Sequence, residues 1–227
     1  MKAHTAARAN DRETRDRLLH AAERLFAERG FKHVTVREIC RAARANVAAV
    51  NYHFGDKLGL YREIVQSAIE RMRATTDAAK LAGAGQPAEE QLRQYILMVN
   101  RRLLAASDGT LQRVIAREMY DPTPAIDALI DQGLRPRIDH LLALVARVLG
   151  SDVADPRVVR CAASINAQTV AYLPNAIAER IGTHSRLTGS RIEEIASHIA
   201  EFSLAGLEAI RRARPASPVR VPAARRR

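Results

Sequence analysis

The stretch from Thr35 to His53 constrains this chain more than any other. Thr35-Val36-Arg37-Glu38 has the spacing of a capping box: the Thr35 hydroxyl can accept from the Glu38 N–H while the Glu38 carboxylate reaches back to the Thr35 N–H. The helix opened there turns Val36, Ile39, Cys40 and Ala43 inward. Arg44 and Ala45 leave room only for a tight turn, Asn46 is a good N-cap, and a very short helix follows from Val47 to about His53. A capped helix, a tight turn and a short second helix make a helix–turn–helix, with the second helix sized for a major groove.

The flanks are helical too. From Glu13 an amphipathic helix runs to Arg29, with Leu18, Ala21, Ala22, Leu25 and Phe26 on one face and Gly30 as its stop. Residues 1–12 read as a frayed polar end. Gly55 breaks the short helix, Asp56 caps the next, and that one runs from Lys57 through Met72 towards Leu81. After the break at Gly83–Pro87 comes a helix from Ala88 to Ala106, apolar nearly all round as a buried central helix would be, and ended by Asp108–Gly109. Helices follow over Thr110–Tyr120, then from the Asp121–Pro124 turn to Leu149 with a kink near Gly133 and Pro136. Two more cover Asp155–Ile181 and Ser190–Arg212. No segment alternates as a strand would, so the expected fold is all-α.

Charge divides the chain. Residues 1–60 hold 12 Lys/Arg against 7 Asp/Glu, residues 61–210 hold 17 against 18, and residues 211–227 hold 7 Arg and no acid. A basic head on a neutral body suggests a polyanion-binding module joined to a separate one. The tail, residues 214–227, carries three prolines and no periodicity and reads as disordered and basic. The longest apolar run, Leu141–Leu149, is too short to span a bilayer and is broken by Arg147. Cys40 and Cys161 are too few for a zinc site and form no disulfide framework, which points to a reduced, cytoplasmic setting without membrane attachment.

Residues 13–72 resemble the N-terminal domain of the TetR family of bacterial transcriptional regulators. The resemblance rests on Phe26-x-x-x-Gly30-Phe31, Thr35-Val36-x-x-Ile39, and the close at Phe54-x-x-Lys57. It implies that the short helix enters the major groove, with Val47, Ala48, Ala49 and Asn51 towards base edges and Tyr52 and His53 on phosphates. Asn can bridge adenine, and Ala and Val methyls can touch thymine methyls. Thr35, Val36, Arg37, Arg44, Asn46 and Lys57 are expected along the phosphate chain, Lys57 aided by the free N–H groups of the helix it starts. Two positions depart from the family pattern: Arg44 replaces the usual turn glycine, and Asn51 stands where Tyr is commoner. Arg117–Ile126 together with Ala48–Lys57 are similar to one subgroup with its own C-terminal domain.

His53 as a catalytic base or metal ligand needs a partner at fixed spacing, and none is visible. The chain has no Gly-x-Ser-x-Gly, phosphate loop, His-Glu-x-x-His or Cys-x-x-Cys, so no catalytic residue, metal or cofactor is expected. Residues 73–213 form the expected effector-binding and dimerisation body. Val158, Cys161, Ala162, Ile165, Thr169, Tyr172 and Leu173 make one stripe, and Ile192, Ile195, Ile199, Phe202, Gly206 and Ile210 make another. Paired between two subunits, these stripes would form a four-helix homodimer interface. Glu118 lies in an apolar face beside Leu111, Val114 and Ile115. A carboxylate there needs a partner or a ligand, and Met98, Arg117, Tyr120, Gln168 and Tyr172 are its expected neighbours in a small-molecule pocket. The composite expectation is a ligand-responsive repressor that binds a palindromic duplex operator. The rival is a sequence-blind architectural DNA binder.

Overall fold

The computed structural model describes residues 2–105, 110–173, 180 and 188–213. Regular structure among them is entirely helical: α1 Lys2–Arg29, α2 Val36–Ala43, α3 Val47–Phe54, α4 Lys57–Ala82, α5 Ala88–Leu104 and α6 Thr110–Tyr120. The short α7, Ile126–Ala128, passes through a π-turn, Leu129–Leu134, into α8, Arg135–Leu149, and α9 (Pro156–Ala171) and α10 (Gly189–Arg212) complete the body. The all-α expectation holds.

Three boundaries differ from expectation. Residues 2–12 are not frayed; they continue α1, being rich in Ala and Arg and free of Gly and Pro. Helix α5 stops at Leu104, and Asp108–Gly109 lies outside the described residues, as does the tail. Helix α9 stops at Ala171 rather than Ile181. There Tyr172 N–H donates to Thr169 O and Leu173 N–H to Val170 O, a tightened turn just before Pro174, which cannot extend a helix. The expected kink is the π-turn. A Cβ on Gly133 would stand 3.4 Å from both Ile69 Cγ1 and Met72 Sδ, so glycine lets this turn lie against α4.

Two apolar cores organise the chain. The first holds Leu18, Phe26, Ile39, Val50, Leu60 and Ile69 from α1–α4, and also Leu111 and Val114 of α6 with Ala125 and Leu129. The second gathers Leu92, Ile96, Leu144, Val158, Ile199 and Leu207 from α5 and α8–α10. The head's core therefore does not end near residue 72. Helix α4 belongs to both cores, with Ile69 in the first and Ala79 in the second.

Between α2 and α3 the chain turns at Arg44, φ 51° and ψ 47°, the one non-glycine residue at positive φ among those described. The Ala45 N–H donates to Cys40 O at 2.9 Å and closes the turn. A left-handed non-glycine residue costs about 1–2 kcal/mol, partly offset by the larger entropy glycine loses on folding. Arg44→Gly is expected to raise stability by about 1 kcal/mol, read as a higher urea midpoint at unchanged slope.

Candidate nucleic-acid interface

The capping box forms as the sequence dictates. Thr35 Oγ1 accepts from Glu38 N–H at 3.3 Å, while Thr35 N–H donates to Glu38 Oε2 at 2.8 Å. The Thr35 hydroxyl and Arg29, at 2.6 Å, also donate to that carboxylate. These hydrogen bonds, Thr35's first, hold the Glu38 carboxyl at about 2, down from 4.5. The folded-state value is depressed, so its contribution to stability is full above about 4.5 and is lost as pH falls towards 2. The stability advantage of the wild type over Glu38→Gln should therefore shrink across that window, as measured by urea midpoints at stepped pH.

Helix α3 starts at Asn46, whose Oδ1 accepts from Ala48 N–H at 3.1 Å. Only Val50 of this helix is buried, and it packs in the first core. The rotation that buries Val50 turns Val47, Ala48, Asn51 and Tyr52 outward together, since they lie one helical turn apart. Tyr52 is 77 % exposed. Ala49 is half-buried, so it is further from solvent than expected. On α2, Thr35 and Arg37 are exposed, Val36 is half-buried, and Arg44 is exposed at the turn. Arg41 is exposed as well, one helical turn on from Arg37 and just before Arg44 at the turn; this basic i, i+4, i+7 spacing is legible in the sequence. No acidic partner meets the guanidiniums of Arg37, Arg41 or Arg44 among the described residues.

Two of the residues expected on phosphates make contacts within the chain. His53 has a side chain only 8 % exposed, with Nε2 3.4 Å from Asp11 Oδ1. Lys57 donates to Phe31 O at 3.0 Å and Val34 O at 3.1 Å, and its ammonium lies 4.2 Å from the centre of the Phe31 ring. The turn between α1 and α2 leaves those carbonyls without helical partners, and a cation at the start of α4 is in reach of them. Both residues thus position the unit. Asp56 is likewise engaged, accepting from Gly59 N–H at 2.7 Å as the cap of α4. Among the described residues no group of three His, Cys, Asp or Glu side chains converges to hold a metal ion.

A small unit with an exposed reading helix, unpaired arginines beside it and a capped scaffold behind is a helix–turn–helix head, and the comparisons agree. Residues 18–64 match the family described as bacterial regulatory proteins, tetR family, and residues 88–207 match the C-terminal domain of the HTH-type transcriptional dual regulator CecR. The chain belongs to the TetR family. It is 33 % identical to the dual regulator CecR of Shigella flexneri over 156 residues, 65 % of this chain and 70 % of that one. The repressor BepR of Brucella suis is 40 % identical over 58 residues, 28 % of its own length. In fold the chain is similar to SCO3833 of Streptomyces coelicolor, TM-score 0.65 at 18 % identity, over 83 % of this chain and 90 % of that one. PfmR of Thermus thermophilus gives 0.61 at 20 % over 83 % and 97 %. As a TetR-family protein it is a DNA-binding transcriptional regulator and not an enzyme. No described helix is long and apolar enough to cross a membrane.

The six expected pocket residues do not come together. Glu118 is 2 % exposed and accepts from the Tyr61 hydroxyl at 2.5 Å and Thr123 N–H at 3.0 Å, so its partners are structural. Burial first, then that hydrogen bond, pushes the Tyr61 phenol up and keeps it a donor. Arg117 points away and donates to Ala27 O at 3.0 Å and Glu28 O at 2.5 Å, gripping the end of α1. Tyr120 is exposed. Gln168 donates to Ser203 Oγ at 3.1 Å between α9 and α10. Met98 and Tyr172 are half-buried against the second core. A cavity of about 410 Å³ lies elsewhere, between α4, α5, α6 and the start of α8. Its lining mixes apolar side chains such as Met72, Val99 and Ile115 with Arg71, Arg102 and Arg137. These residues sit on four helices, and nothing in their spacing marks them as neighbours.

The interface stripes also divide. Ile192, Ile199, Val158, Cys161, Ala162, Ile165 and Thr169 are buried within the subunit, because α9 and α10 close the second core on that side. Phe202, 64 % exposed, with Gly206 and Ile210, faces outward over a groove of about 500 Å³ between the two helices.

Proposed function

We propose that the protein is a ligand-responsive repressor that binds a palindromic operator as a homodimer in the cytoplasm. The observation that carries this reading is the outward face of α3, Val47, Ala48, Asn51 and Tyr52, beside the exposed Arg37 and Arg41 of α2. One head offers few base contacts, so useful specificity requires two, about 34–36 Å apart. The outer face of α9 and α10 supports the pairing: Phe202 and Ile210 supply apolar area, and Gly206, with open space around it, lets a second helix approach closely.

The cavity supports ligand response through α6. Its first half, with Leu111 and Ile115, lines the cavity, and its last turn holds α1 through Arg117. A ligand that moves α6 or α4 moves the head. Shifting occupancy from nearly full to nearly empty requires a preference of about 5.5 kcal/mol for the non-binding state.

The test is a footprint on the DNA upstream of the gene against random duplex of equal length. A symmetric protected site is expected. Phe202→Arg should yield a monomer by sedimentation and lose that protection. Tyr52→Ala, which removes about 1 kcal/mol per head, should weaken the wild-type dimer's affinity about 30-fold. Equal affinity for random duplex would instead establish the architectural reading.

A further inference from the structure

We infer that the cavity between α4, α5, α6 and α8 takes an amphipathic anion: a small molecule with an apolar body and a carboxylate or comparable acidic head. The inference rests on reading this cavity as the effector site.

The argument is about which donors remain uncommitted. The neutral polar side chains in the wall already donate to backbone carbonyls: Thr75 to Arg71 O at 2.7 Å, Thr76 to Met72 O at 3.0 Å, and Gln112 to Leu103 O at 3.3 Å. What they show the cavity is mostly methyl, methylene and acceptor surface, with one further N–H on Gln112 Nε2. Arg71, Arg102 and Arg137 line the same cavity; Arg137 meets the Tyr95 hydroxyl, and none of the three guanidiniums makes an ion pair among the described residues. Among the described residues no Asp or Glu stands in the wall. Three cations from three helices thus face one space without a counter-charge among the described residues, Arg137 half-buried and Arg71 and Arg102 reaching water.

An apolar volume with convergent guanidiniums discriminates strongly. A cationic ligand meets repulsion and no acceptor carboxylate. A neutral one gains only the apolar contact. An anion also gains charge-assisted hydrogen bonds and relieves the mutual repulsion of the arginines. A volume of about 410 Å³ accommodates a metabolite-sized molecule.

The experiment uses the full chain and matched probes below their micelle concentrations: octanoate, decanoate, dodecanoate and naphthoate, with the corresponding alcohols and alkyltrimethylammonium ions. Binding is read by calorimetry and by thermal shift. Expected is binding of at least one carboxylate about ten-fold or more tighter than its alcohol, with the ammonium weakest. Arg102→Gln/Arg137→Gln should bring carboxylate affinity down to that of the alcohol. The alcohol's own affinity reports that the cavity of the variant is still formed. Alcohol binding as tight as carboxylate binding overturns the inference and leaves the effector site in place. Absence of binding by every probe overturns both. A carboxylate that binds by way of the arginines but leaves the DNA footprint unchanged upholds the ligand class and refutes ligand-responsive repression.

Discussion

Alanine at Gly59 will destabilise the protein by about 3 kcal/mol and impair DNA binding more than that loss explains. A Cβ built there would stand 1.9 Å from Phe54 O and 3.1 Å from Phe54 C. The obstacle is backbone, so it cannot rotate away as a flexible side chain would. Phe54 is the last residue of α3, and Gly59 lies in the first turn of α4. One helix must move relative to the other by roughly 1 Å to restore ordinary contact. The same shift strains the Gly59 N–H bond to Asp56 and re-aims Val47, Ala48, Asn51 and Tyr52. A drop in melting temperature of about 6–12 °C is expected for a chain of this size, followed by circular dichroism because there is no Trp. Operator affinity, measured well below that melting point, should fall with it. Wild-type melting and affinity in the alanine variant would mean that α3 and α4 do not approach as described.

Glu118→Ala should cost a similar amount, about 3 kcal/mol, for a different reason. It removes the acceptor for two donors in an interior that offers no substitute. The Tyr61 hydroxyl and the Thr123 N–H would each be left buried and unpaired, at about 1–3 kcal/mol apiece. Glu118→Gln keeps one carbonyl oxygen for those two donors and should lose less. Tyr61→Phe removes a donor and leaves the carboxylate with Thr123 alone. The double variant Tyr61→Phe/Glu118→Ala should then lose less than the two single losses added, since each single change strands the other's partner. Strict additivity in denaturant unfolding would show that the pair contributes nothing as a pair.

These two residues also mark where sequence reasoning reached its limit. Local rules carried the head. The Thr35–Glu38 box and the Asn46 and Asp56 caps depend on residues a few places apart, and each formed as expected; the tight turn after α2 formed too, with Arg44 taking the left-handed conformation. What local spacing does not carry depends on contacts between distant segments. Lys57 has the spacing of a phosphate contact, but its ammonium meets carbonyls of Phe31 and Val34. Glu118 was rightly singled out as a carboxylate needing partners, yet Tyr61 lies on another helix and could not be paired with it from spacing alone. Gly59 looked like any helix residue because its constraint comes from the end of the helix before. The cavity was least legible of all: Arg71, Arg102 and Arg137 come from three helices, and packing alone gathers them.

The grip of α6 on α1 bears on how such regulators can be recombined. Grafting this reading unit onto a foreign sensor at the sequence boundary near residue 72 would cut through a shared interior. The graft would strip Leu111 and Val114 from the first core. It would also leave Ala27 O and Glu28 O without the Arg117 donors, and Lys32 without Asp121. A working hybrid has to carry α6 along with α1–α4, so the natural unit of exchange is discontinuous in sequence.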